Sequence, residues 1–97
     1  MEVKVRFFTN LREIVGQREE SITFPDSQKA NVNLVLKLLS KKYGAPFTEY
    51  VYDIKTGLPK NFLQFLVNGT STSAIKGLET ELKAGDILAI LPPVGGG

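Results

Sequence analysis

The sequence predicts an α+β roll, a mixed sheet of four to five strands packed against one main helix. Three observations carry that expectation. Apolar and polar residues alternate with period two early in the chain, over Val3 to Phe7 and again over Glu20 to Phe24. The period then changes to that of a helix, most clearly from Val32 to Tyr43. Near the end, Ile87-Leu88-Ala89-Ile90-Leu91 is apolar throughout, as suits a central strand covered on both faces.

Taken in order, the first strand directs Val3, Val5 and Phe7 to the core and Lys4 and Arg6 away from it. Phe8 breaks the alternation and puts an aromatic ring on the outward face. Asn10 to Gly16 reads as a short connection, and the strand that follows it ends at Pro25-Asp26, so the first two strands form a hairpin with a wide loop. In the helix, Val32, Val35, Leu36, Leu39 and Tyr43 make one apolar face. Asn31 is its expected N-cap and Gly44 its stop, with Lys41 and Lys42 suited to the negative end of the helix dipole. Between Pro46 and Asn61, Phe47, Tyr50, Val51 and Ile54 suggest one helical turn or two, and Gly57 with Pro59 marks a turn.

Phe62 to Val67 is the next strand, with Leu63, Phe65 and Val67 inward, and Asn68-Gly69 is a strong tight-turn signal. Thr70 to Ile75 is weak as a strand, Leu78 and Leu82 are inward anchors, and Ala84-Gly85-Asp86 turns into the last strand. The order β-β-α-β-(β)-β lets the helix cross one face of the sheet while the first and last strands lie side by side in its centre. That arrangement is the β-grasp, or ubiquitin-like, roll. One domain over residues 1–94 is expected, followed by a flexible glycine tail over 95–97.

Composition narrows the function. The 97 residues include no cysteine and no histidine, which removes a thiolate nucleophile, an imidazole base and the ordinary metal sites. These absences weigh against a self-sufficient enzyme. The net charge is only +2, from 12 basic and 10 acidic residues that are mostly dispersed, so no nucleic-acid footprint is visible. No apolar run approaches the roughly 20 residues of a membrane span. The sequence opens directly into a strand pattern without a signal-peptide signature, and cytoplasmic residence is the expectation.

The informative chemistry stands at the end, in Leu91-Pro92-Pro93-Val94-Gly95-Gly96-Gly97. The two prolines remove backbone donors and fix φ, so a strand cannot continue through them. The glycines carry no side chain and admit close backbone approach, so Gly95 and Gly96 would thread a narrow channel in a partner. The reactive group would be the carboxylate of Gly97, open to activation by adenylation and then to attack by sulfur or an amine.

Four blocks occur in the order of a known family: Phe7-Phe8-Thr9-Asn10-Leu11-Arg12-Glu13, Val67-Asn68-Gly69, Leu82 to Val94, and the terminal glycines. Together they resemble the small subunit of molybdopterin synthase and its sulfur-carrier relatives, over essentially the whole chain. Two departures are a third glycine before the functional pair Gly96-Gly97 and a Pro46–Asn61 stretch longer than the shortest members have.

The resemblance implies a carrier with no catalytic residues of its own and no bound cofactor. A ubiquitin-activating-like enzyme, using ATP and magnesium, would adenylate Gly97, and sulfur would replace AMP to leave a thiocarboxylate. The acceptor would be the dithiolene precursor of molybdopterin, held in the synthase large subunit. Phe8 and Leu91, brought close by adjacent strands, would form a partner-binding patch with Pro92, Pro93 and Val94. Arg12 is more simply a solvated loop residue or a partner of Glu13 or Glu19; Tyr43, Tyr50 and Tyr52 are core and rim, and Gly85-Asp86 is a turn. Two other fates share the same activated carboxylate: capture by a lysine amine, as in a ubiquitin-like protein modifier, and sulfur transfer in tRNA thiolation or thiazole synthesis.

Overall fold

The computed structural model describes residues 1–92. Strands β1 (Glu2–Phe7), β2 (Glu19–Thr23), β4 (Gln64–Val67), β5 (Thr70–Ser71) and β7 (Ile87–Leu91) form one sheet in the order β2-β1-β7-β4-β5. β1 and β7 run parallel in its centre and every other pairing is antiparallel, which is the expected mixed sheet of the β-grasp roll. A second, two-stranded ladder joins β3 (Ala30–Asn31) to β6 (Glu81–Leu82) and ties the start of the main helix to the segment before β7.

The main helix, α2 (Val32–Tyr43), begins where the sequence places it. Asn31 is extended, and its side-chain oxygen accepts the Leu34 N–H at 2.8 Å, satisfying one of the helix's orphan donors. Gly44, at φ 75°, donates its N–H to Ser40 and ends the helix. Val32, Val35, Leu36 and Leu39 are fully buried against Val3, Val5 and Phe7 of β1, Leu88 and Ile90 of β7, and Phe65 and Val67 of β4.

α2 is the main helix, as expected, and two shorter helices accompany it. Asn10–Gly16, expected as a short connection, forms most of α1 (Thr9–Val15) and its cap, Gly16 at φ 80°. Its seven residues are too few to display a period, yet Leu11 is buried and Ile14 and Val15 pack on the core. The stretch from Pro46 opens with α3 (Ala45–Val51), which buries Phe47 and Val51, with Pro46 in the first turn where its missing N–H costs no bond. The Asn68-Gly69 turn has both residues at positive φ, 51° and 86°, as a two-residue hairpin linking β4 to β5 requires. Its geometry is locked by the Asn68 amide, which donates to Asp86 at 2.9 Å while its oxygen accepts the Ile87 N–H at 2.9 Å.

The last strand also departs from expectation. β7 is central, but only Leu88 and Ile90 are fully buried; Ile87, Ala89 and Leu91 stay half-buried on the opposite face. The helices cover one face of the sheet, and among the described residues no layer covers the other.

Candidate functional site

That open face is where the candidate site lies. The register sets Lys4 beside Ile87 and Arg6 beside Ala89 on one side of β7, and Leu66 beside Ala89 and Gln64 beside Leu91 on the other. Side chains alternate across a sheet, so Lys4, Arg6, Gln64, Leu66, Ile87, Ala89 and Leu91 share the outer surface. It divides by strand. On β1 and β2 it is charged, with Glu19 taking Arg6 at 3.4 Å and Lys4 at 4.0 Å in exposed pairs that add little stability. On β7 and β4 it is mainly apolar, formed by Ile87, Ala89, Leu91 and Leu66, with the exposed Gln64 beside Leu91.

Phe8 extends the apolar half. β1 ends at Phe7, paired with Ile90, and Phe8 continues extended (φ −129°, ψ 150°), one step further on and so level with Leu91. The chain then turns sharply through Thr9 at φ 47°, a conformation that β-branched residues rarely adopt, and enters α1. Phe8 therefore stands half-buried at the corner of the sheet, beside the point where the chain leaves β7.

Arg12, from the first turns of α1, lies with its guanidinium 6.0 Å from the Phe8 ring centroid and its Nε 3.4 Å from the Phe7 carbonyl oxygen. Among the described residues it makes no ion pair with Glu13 or Glu19, so the local-partner reading of Arg12 gives way to a half-buried cation stacked on the candidate docking residue. A groove of about 480 Å³ opens there, lined by Arg6, Phe8, Arg12 and Arg18, with Glu19 its one carboxylate among the described residues. The corner thus joins an apolar surface to a basic collar.

Of the residues expected at the site, the register sets Phe8 and Leu91 level on adjacent strands, and Pro92 is half-buried where β7 ends. Pro93, Val94, Gly95, Gly96 and Gly97 lie outside the described residues. Leu66 and Ala89 join the patch without having been expected, as do Arg6 and Arg18 in the collar. A signal for Leu66 and Ala89 was present: each, like Phe8, is apolar where strand alternation calls for a polar residue.

The titratable groups elsewhere serve the fold. Tyr43 packs edge-on against Phe7 and donates to Glu20, which also accepts Lys42 at 2.6 Å and Gln17 at 2.9 Å, clipping β2 to the end of α2. Burial, followed by that bond to Glu20, raises the Tyr43 phenol above its ordinary range. Asp86 is committed to Asn68 and to the Lys83 N–H at 2.8 Å, in keeping with a turn role. No cluster of metal-binding side chains occurs among the described residues. What this arrangement offers chemically is a place for a partner to sit beside the departing chain.

The profile of the ThiS family matches residues 5–97. Small archaeal modifier protein 3 of Haloferax volcanii is 35% identical over 97 residues, covering 100% of both chains. A protein of Archaeoglobus fulgidus provisionally named a sulfur carrier is 35% identical over 72 residues, 74% of this chain and 80% of that one. Among solved structures, a protein of Pyrococcus furiosus provisionally named molybdopterin converting factor subunit 1 superposes with a TM-score of 0.72 at 30% identity, covering 97% of this chain and 99% of that one.

Proposed function

The chain belongs to the ThiS family of ubiquitin-like sulfur carriers, and from that premise we propose that it carries sulfur as a thiocarboxylate on Gly97 and delivers it, as the small subunit of a molybdopterin synthase, to the dithiolene of molybdopterin. The observation that carries this reading is the apolar patch of Phe8, Leu66, Ala89 and Leu91 at the point where the chain leaves β7 toward its glycines. A carrier needs a docking surface next to its reactive end, so that binding and insertion of the tail occur together. The kinship with the Pyrococcus furiosus protein supports molybdopterin as the product.

The chemistry belongs to the carboxylate and to the partners. A carboxylate is a poor electrophile. Attack of a Gly97 oxygen on the α-phosphate of ATP, in a ubiquitin-activating-like enzyme that supplies ATP and magnesium, expels pyrophosphate and leaves a mixed anhydride. A sulfide-level nucleophile then displaces AMP. The resulting thiocarboxylate is a soft nucleophile suited to attack on the organic precursor held in the large subunit. In this reading Gly95 and Gly96 pass through channels too narrow for a side chain, and Pro92, Pro93 and Val94 complete the docking patch.

A second reading rests on the full-length match to a small archaeal modifier protein: the same adenylate is captured by a lysine amine to give an isopeptide bond. Activation is common to both fates. Deleting Gly97, or adding one residue after it, is expected to abolish ATP–pyrophosphate exchange with the activating enzyme while leaving the circular dichroism spectrum unchanged. Exchange at the wild-type rate in either variant would contradict the carrier and the modifier alike.

A further inference from the structure

At the far edge of the sheet, β4 outruns its neighbour β5. The Asn68 N–H donates to the Ile87 carbonyl at 2.9 Å, which identifies Asn68–Ile87 as a hydrogen-bonded pair of the β4–β7 ladder. Hydrogen-bonded and non-hydrogen-bonded pairs alternate along an antiparallel ladder. The backbone groups of Leu66 and Gln64 therefore face β7, while those of Val67, Phe65 and Leu63 face the opposite edge. Val67 meets Thr70 there, but the β4–β5 register stops at Leu66–Ser71, because the chain leaves the sheet through the 3₁₀ turn Thr72–Ala74. The Leu63 N–H is used by the Lys60 carbonyl at 3.1 Å. The Phe65 N–H, the Phe65 carbonyl and the Leu63 carbonyl are left facing a gap with no strand partner among the described residues.

The gap is a groove of about 380 Å³. Leu63, Phe65 and Leu78 line it with apolar surface, and Lys60, Ser71 and Ser73 also border it. Among the described residues Lys60 is the one charged side chain on its lining, and none of their carboxylates lines it. Its ammonium donates to the Glu49 carbonyl at 2.7 Å and lies 5.7 Å from the Phe62 ring centroid; that single hydrogen bond uses one of its three donors.

We propose that this groove binds an extended, acidic peptide segment of a partner protein by strand addition to β4. Backbone groups of Phe65 and Leu63 supply the ladder, the apolar lining takes an aliphatic side chain, and Lys60 with the serine hydroxyls takes a carboxylate. The occupant is a single strand of a different protein, with charge opposite to that of Lys60, the one charged side chain on the lining among the described residues; a strand of a second copy is an outcome that the test separates. The surface lies across β4 from β7, so a partner held here leaves the Phe8–Leu91 corner open to another protein.

The test is a titration of the full ¹⁵N-labelled chain, followed by amide NMR. The probe is an acetylated, amidated peptide alternating threonine and valine around a central aspartate. Saturable shifts are expected at Phe65, Ser71 and Ser73, with slowed hydrogen exchange at the Phe65 amide. Replacing the peptide's aspartate by lysine is expected to weaken binding about threefold, the scale of one exposed ion pair, and Lys60→Glu should reverse that preference. An N-methylated peptide, unable to complete the ladder, should not bind. Shifts elsewhere, no shifts at millimolar peptide, or equal binding of the N-methylated form would overturn the proposal. So would a Phe65 amide already protected without peptide: concentration-dependent protection would assign the groove to a second copy, and concentration-independent protection to this chain's own residues 93–97. The peptide titration needs neither adenylation nor sulfur at Gly97, so failure of the groove leaves sulfur carriage standing, and the reverse.

Discussion

Phe7 and Phe8 are neighbours with opposite tasks. Phe7 is fully buried in the core, and its truncation to alanine is expected to cost about 3–5 kcal/mol in a urea unfolding curve. Phe8 stands half-buried at the sheet corner under Arg12, so Phe8→Ala should leave the unfolding midpoint nearly unchanged. Its effect should fall on docking instead: roughly tenfold weaker binding to the synthase large subunit by calorimetric titration. Leu66→Ala, across β7 from the corner, is expected to weaken the same complex. Unchanged affinity in both variants would move the interface off this face. Both sites were legible in the sequence as apolar residues on the polar phase of a strand, although only Phe8 was read that way. Arg12 was not legible, because a stack on Phe8 depends on the turn at Thr9, which residue types alone do not disclose.

At the level of the element, α2 was readable because everything that defines it is local: the apolar period, the Asn31 cap and the Gly44 stop. Asn31→Ala is therefore expected to destabilise the fold by about 1 kcal/mol, measured as a lower urea midpoint with an unchanged slope. α1 was missed because seven residues hold too little period, and the β3–β6 ladder because two-residue strands carry no alternation and their partners are distant in sequence. The clip between β2 and α2 makes a prediction in pH. Burial and the bond to Glu20 raise the Tyr43 phenol, so the fold favours its neutral form. That contribution is fully present below the ordinary tyrosine value near pH 10 and is lost as pH rises through the higher folded value. Stability should hold to about pH 9 and then fall, and Tyr43→Phe should flatten the alkaline fall while lowering the plateau by about 1–2 kcal/mol.

For the whole molecule, the parallel pairing of β1 with β7 brings Phe8 level with Leu91 at the corner where the chain leaves the sheet. The sequence conveyed this placement through strand order, because a helix crossing between the early and late strands leaves those two adjacent. It misjudged the wrapping: an unbroken apolar run suggests a strand covered on both faces, yet in β7 one of those faces is the candidate docking surface. Among the described residues no helix is long and apolar enough to cross a membrane, and the fold's largest investment is a one-sided core beneath an open sheet. Sulfur carriage rests on conversion of the Gly97 carboxylate to a thiocarboxylate. Its most direct test is the accurate mass of the C-terminal fragment from protein isolated under native conditions and again after incubation with the activating enzyme, ATP, magnesium and a sulfur donor. Replacement of one oxygen by sulfur on the fragment ending at Gly97, apart from any oxidation of Met1, is the predicted result. A carboxylate unchanged after that incubation, or found only as an isopeptide to lysine, would contradict sulfur carriage.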